Sequence, residues 1–245
     1  MAPVRVTHWR GAPVAAVVLA GGVGRRFGAD KARELVAGTR LIDRALAATA
    51  AFEPVWVVAG EPARAAALAH LLPDPGRVVP DDAPGAGPIG GIATALRLAG
   101  HRWVAVLAVD LPLIDGSWWP ALMAAADADA VTAAVRPLAV AARDPDGRWE
   151  PLAALYHGDL APLAAEHAAP AAAHLAPGGD RSLRRFLAAA GAQAVAYEAL
   201  PAAAVAALHN VNTRADAAAV ESRWEALGRP VRAEAGDATR REEGR

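Results

Sequence analysis

Two stretches of this chain are apolar at almost every position: PVAAVVLA at 13–20 and WVAVLAV at 103–109, the second followed by Asp110. A strand with one face in water alternates apolar and polar residues; a continuous apolar run of this length reads as a strand covered on both faces. Such strands belong to a mostly parallel sheet with helices packed above and below. The rest of the chain supplies the helices. LIDRALAATAAF (41–52), PARAAALAHLL (62–72), IGGIATALRLA (89–99), residues 117–126, RSLRRFLAAAG (181–191) and TRADAAAVESRWEAL (213–227) carry helical spacing. PVWVVAG (54–60) and RVVP (77–80) read as further strands, and ADAVTAAV (128–135) as strand-like. PLAVAARDPDG and RWEPLAALYH suggest a hairpin turning at Pro145-Asp146-Gly147. The expectation is an α/β fold, a three-layer α/β/α sandwich of Rossmann-like type. Residues 13–227 would form one domain, preceded by a flexible segment at 1–12 and followed by a charged, disordered tail at 228–245.

Net charge is −1, so the whole-molecule charge predicts no nucleic-acid or membrane partner. No apolar stretch free of charge and proline reaches membrane-span length, and the first residues lack a signal-peptide core; we expect a cytoplasmic protein. There is no cysteine, so disulfides and thiolate metal sites are excluded. The seven histidines show no metal-ligand spacing, and His157 and His174 read as structural or exposed. Trp118-Trp119 is the one aromatic pair to check for a partner surface.

Chemistry concentrates where the first strand ends. Gly21, Gly22, Gly24 and Gly28 follow Leu19-Ala20, and glycines let backbone N–H groups close on an anion. Among the 25 lysines and arginines, Lys31 is the only lysine. A Walker loop requires lysine directly after its last glycine, and here Gly28 is followed by Ala29-Asp30-Lys31. The dinucleotide pattern G-x-G-x-x-G fails at this loop but fits Gly85 to Gly90, with Asp110 20 residues further on. Against an NAD site there, Asp81-Asp82-Ala83-Pro84 separate the glycines from their strand, and Pro88 removes a donor. The strand ends at Ala20, Pro80 and Asp110 can converge on one site, because ligands of such sheets bind beyond the carboxyl ends of the strands.

The segment from Leu19 to Lys31, L-A-G-G-x-x-x-R-F-G-x-D-K, resembles the nucleotide-binding signature of the molybdenum cofactor guanylyltransferases, within the nucleotide-diphospho-sugar transferase type of fold. Gly87-Pro88-Ile89-Gly90-Gly91-Ile92, Asp110-Leu111-Pro112, the segment from Glu150 to Tyr156, and Asn210-Val211-Asn212-Thr213 are similar to later motifs of that family. The resemblance implies transfer of GMP from Mg-GTP to the terminal phosphate of molybdopterin, with pyrophosphate leaving. Leu19, Ala20, Gly21, Gly22 and Gly24 would hold the nucleotide, with Arg26 and Lys31 as catalytic cations. Asp110 would bind Mg²⁺ and contact the nucleotide. Asp81 would accept from guanine N1–H and N2–H, and Asn212 is a candidate for a metal or product contact, or for a helix cap. GTP and molybdopterin would be the partners, with a molybdoenzyme or delivery protein as a further candidate. Arg181, Arg184 and Arg185 are candidates for the molybdopterin phosphate or a solvated helix face. At Val58-Ala59-Gly60-Glu61 the chain lacks an asparagine common in the family near guanine. This leaves CTP or another acceptor phosphate as the alternative. A non-catalytic nucleotide-binding delivery protein is a second.

Overall fold

In the computed structural model, which describes residues 5–21, 23–24, 29–129, 137–169 and 183–226, the run at 13–20 lies at the centre of an eight-stranded sheet. Numbered along the chain, the strands of this sheet are β1 (His8–Trp9), β2 (Ala12–Leu19), β3 (Val55–Val58), β4 (Val78–Val79), β5 (Trp103–Ala108), β6 (Ala139–Arg143), β7 (Ala153–His157) and β8 (Gln193–Ala196). Their order is β8-β6-β7-β5-β2-β3-β4, with β1 pairing the start of β2. All neighbours are parallel except those of β7 and β1. The chain leaves β2 on one side to form β3 and β4, then crosses back to lay β5 on the other side. The carboxyl ends of β2 and β5 therefore sit side by side, Leu19 opposite Ala108, at the point where the strand order reverses.

The continuous apolar runs have the expected cause. On one face Ala16, Val18, Ala105 and Leu107 join a core with helices α1 (Leu41–Ala48), α2 (Pro62–Ala69), α4 (Trp118–Asp129) and α8 (Arg214–Ala226). On the other, Val17, Leu19, Val104 and Val106 pack with α3 (Pro88–Ala99), α5 (Ala161–Ala168) and α6 (Leu183–Ala189). Side chains alternate across a strand, so both sets must be apolar. A short helix α7 (Ala202–Ala206) precedes α8. Among the described residues no helix is long and apolar enough to cross a membrane.

Several expectations change. Within the 1–12 segment expected to be flexible, Trp9 is buried edge-on against Trp103, with ring centres 4.6 Å apart. Its indole N–H and the Arg10 guanidinium both donate to Asp127 on α4, each at 2.9 Å. Trp118-Trp119 is core rather than a partner surface: both rings are fully buried, and their N–H groups donate to the carbonyls of Ala153 (3.1 Å) and Ala48 (2.9 Å). Ala128 and Asp129 close α4 instead of opening a strand, and 130–136 lie outside the described residues. The hairpin forms, with Val140 opposite Leu155. His157 is largely buried against Trp103; His174, Arg181 and the expected tail at 228–245 lie outside the described residues.

Candidate active site

Three segments from distant parts of the sequence meet at the carboxyl ends of β2 and β5. The first follows β2. Leu19 and Ala20 stay inside the sheet: the Leu19 carbonyl accepts from Val109 N–H at 3.1 Å, and Ala20 N–H donates to Val58 at 2.8 Å. Gly21 is the first residue to leave it. A Cβ at Gly21 would lie 3.2 Å from the Gly60 nitrogen and 3.3 Å from its Cα, so the turn after β2 runs directly against the turn after β3. Gly60 has φ +75°, a conformation open to glycine. Val23-Gly24 then pairs antiparallel with Ala29-Asp30, folding the loop back on itself. Gly22, Arg26 and Gly28 lie outside the described residues.

Asp30 and Lys31 begin a single 3₁₀ turn, Lys31–Arg33. Asp30 Oδ1 caps it, accepting from Ala32 N–H at 3.1 Å. The same oxygen accepts from the Arg64 guanidinium, which reaches over from the first turn of α2. With the backbone so fixed, the Lys31 side chain is 9% exposed and its ammonium lies between two acceptors. Asp110 Oδ2 is 3.1 Å away and Asn212 Oδ1 is 2.8 Å away. Asp110 stands two residues beyond the end of β5 rather than on it. Its Oδ1 is buried and has no hydrogen-bond partner. A lone buried carboxylate oxygen beside an ammonium that already occupies its twin is unsatisfied as it stands. A hard divalent cation fits it. Among the described residues no group of three or more His, Asp or Glu is placed to hold a metal, so a cation here would depend on one carboxylate plus oxygens from its substrate.

Asn212 arrives on the segment before α8. Val211 N–H donates to the Asp110 carbonyl at 2.8 Å, stitching this segment to the end of β5. The helix cap belongs to its neighbour: Thr213 Oγ1 accepts from Asp216 N–H at 3.1 Å, and Asp216 Oδ2 accepts from Asn212 and Thr213 N–H at 2.8 Å each. The Asn212 N–H, ahead of the contacts from Thr213, holds the Asp216 carboxyl below its ordinary range.

Asp81 follows β4 and faces the same rim. Its N–H donates to the Gly60 carbonyl at 2.7 Å. Its Oδ1 accepts from Ala83 N–H (2.9 Å) and Thr94 Oγ1 (3.1 Å), so this carboxylate also organises the turn into α3. The glycines that imitate a dinucleotide motif have other reasons. Gly85 and Gly87 have φ of +82° and +75°, and a Cβ on Gly90 would sit 2.6 Å from the Ala83 carbonyl. Pro88 opens the helix, where its missing N–H costs nothing. Arg184 and Arg185 are exposed on α6.

Two contributors, Arg64 and Gly60, are not marked by any local pattern. Each shows its part only through a contact with the signature segment, 34 residues away for Arg64 and 39 for Gly60. Glu150, which opens the segment similar to a family motif, lies two residues before Leu152, whose carbonyl accepts from Ala108 N–H at 2.9 Å. Burial raises the Glu150 carboxyl above its ordinary value, and the Tyr197 hydroxyl donates to it at 2.8 Å.

A turn at Gly21 beside a topological switch point, a buried lysine, and an acidic residue with one oxygen spare thus meet at one rim of the sheet, on a fold that nucleotidyltransferases share. Comparison with known proteins carries this to a family. Residues 16–195 match the model of the MobA-like NTP transferase domain, and the chain belongs to that family. It is 36% identical over 215 residues to a probable molybdenum cofactor guanylyltransferase of Deinococcus radiodurans, covering 87% of this chain and 96% of the relative. A probable molybdenum cofactor guanylyltransferase of Opitutus terrae is also 36% identical, over 72% of this chain and 78% of its own length. Among solved structures, the molybdopterin-guanine dinucleotide biosynthesis protein A of Archaeoglobus fulgidus superposes with a TM-score of 0.71 at 23% identity, over 86% of this chain and 99% of its own. At that identity the superposition establishes the fold.

Proposed function

We propose that this chain transfers GMP from GTP to the terminal phosphate of molybdopterin, releasing pyrophosphate. A phosphate oxygen of the acceptor forms the new bond to the α-phosphorus, and the bond from that phosphorus to the β-bridging oxygen breaks. The nucleophile is already an anion, so the protein needs no general base. It has to position two anions against each other and neutralise the charge that develops. The observation that carries the reading is the Lys31 ammonium, anchored by Asp110 and Asn212 beside the glycine turn. Two of its three N–H groups are engaged, which leaves one to donate to an α-phosphate oxygen. Gly21 and the backbone after it would face the triphosphate, with Arg26 as a second cation. Asp110 would divide its oxygens, Oδ2 to Lys31 and Oδ1 to Mg²⁺. When bound, Mg²⁺ supplies charge neutralisation across the phosphates. Asp81 would accept from the guanine N1–H and N2–H edge. The names of the relatives support GTP and molybdopterin as substrates.

One observation favours a second reading. The segment Val58-Ala59-Gly60-Glu61 lacks the asparagine that the family resemblance leads one to expect, and Ala59 within it is fully buried. CTP would then be the donor, with the same chemistry. The test is pyrophosphate release with Mg²⁺ and molybdopterin, measured separately with GTP, CTP, ATP and UTP. Release with GTP alone is expected; release with CTP alone would move base selection away from Asp81, and release with none would end the proposal.

A further inference from the structure

We infer that Asn212 is a positioning residue for Lys31, mounted on helix α8, and is not a ligand of the metal. The inference rests on the reading of Lys31 as the cation at the α-phosphate. The amide oxygen is the only side-chain atom of asparagine that a hard cation would take, and Oδ1 is turned towards the ammonium, which uses one of its two lone pairs at 2.8 Å, closer than Asp110 at 3.1 Å. The Asn212 backbone is held on both sides. On one side Val211 N–H is tied to the Asp110 carbonyl, and on the other the Asn212 N–H is tied to Asp216. The mount reaches further. Glu221 on α8 accepts from Ala37 N–H at 2.8 Å, and the Arg44 guanidinium stacks over Trp224 at 3.8 Å. Ala37 lies in the segment that follows the Lys31 turn, and Arg44 on α1 beyond it. One helix thus holds the chain just after the Lys31 turn and, through Asn212, the tip of the Lys31 side chain. A lysine has four freely rotating bonds; fixed acceptors at two N–H groups set the direction of the third before substrate arrives.

The test is a double-mutant cycle on the holoenzyme, reading kcat, the GTP KM and the Mg²⁺ concentration for half-maximal rate. Asn212→Ala is expected to lower kcat by about tenfold to a hundredfold, leaving the GTP KM and the Mg²⁺ half-point within about twofold. Lys31→Ala with Asn212→Ala should be no slower than Lys31→Ala alone. A rise of tenfold or more in the Mg²⁺ half-point of Asn212→Ala would make Asn212 a metal ligand and overturn the inference. So would a double variant whose loss is the full product of the two single losses. If Lys31→Ala itself turns over like the unmodified chain, the reading of Lys31 fails and the inference falls with it. Should Asn212→Ala not fold, Asn212→Ser, which is too short to reach the ammonium, carries the same comparison.

Discussion

A lysine at position 31 answers to geometry that an arginine cannot meet. The ammonium is compact and has three donors around one nitrogen, and two acceptors already sit 3.1 and 2.8 Å from it in a pocket that leaves the side chain 9% exposed. A guanidinium spreads its donors over a plane and needs more room. Lys31→Ala is expected to lower kcat by about two to three orders of magnitude, and Lys31→Arg to leave most of that loss in place. Steady-state pyrophosphate release checks both, and full activity in Lys31→Arg would refute the argument. Asp110→Ala removes both the partner of Lys31 and the spare oxygen. It should lose metal-dependent turnover by a similar factor while its thermal unfolding remains cooperative. Glycines give the residue-scale contrast. A Cβ at Gly90 would lie 2.6 Å from a backbone oxygen, which no flexible side chain can relieve. Gly90→Ala should destabilise by about 1–3 kcal/mol in denaturant unfolding, and it should disturb the Asp81 carboxylate beside it.

At the scale of elements, the sheet was legible because it is buried on both faces. The runs at 13–20 and 103–109 have no polar position, and β2 and β5 occupy them within a residue or two. The hairpin at 145–147 was readable from turn chemistry and the helix at 89–99 from its spacing, with Pro88 proving to be its first residue. What the sequence hid was partnership. Trp118 and Trp119 look like a surface pair because two adjacent tryptophans on a helix point in different directions; here both directions lead into the core, and each indole finds a carbonyl. Asn212 and Thr213 both suit a helix start, and only the Lys31 contact assigns the cap to one and the site to the other. Arg64 carried no signal, since its target Asp30 lies on another element. The Glu150 loop adds a pH dependence. Burial, before the opposing hydrogen bond from Tyr197, raises the Glu150 carboxyl. The folded state thus holds this proton more tightly than the unfolded chain. Its contribution is complete below the unfolded value and is lost as pH rises through the folded one. Glu150→Gln, neutral at every pH and still able to accept from Tyr197, should gain stability relative to the parent as pH rises above the ordinary carboxylate range. Unfolding midpoints measured for both proteins across that range check the sign.

Across the whole molecule, the site joins the two ends of the described chain. Lys31 lies 79 residues from Asp110 and 181 from Asn212, yet the three side chains share one cluster of hydrogen bonds. Of the described residues beyond 209, Val211 and Val220 are buried in one of the two cores and Ala217 and Trp224 pack against it; the rest of the sheet and of both cores lies before them. A chain ending at residue 209 should therefore keep the cooperative unfolding of the sheet and lose turnover by more than about tenfold, the loss expected from a misplaced catalytic group. Circular dichroism and pyrophosphate release on the same preparation separate the two effects. The late arrival of Asn212 also sets an order on synthesis. A growing polypeptide folds its glycine turn and both central strands early, whereas the lysine acquires its second anchor only when the last helix docks. On the proposed reading, a partial molecule that lacks α8 would present its lysine with one anchor instead of two and would turn over GTP more slowly than the full chain.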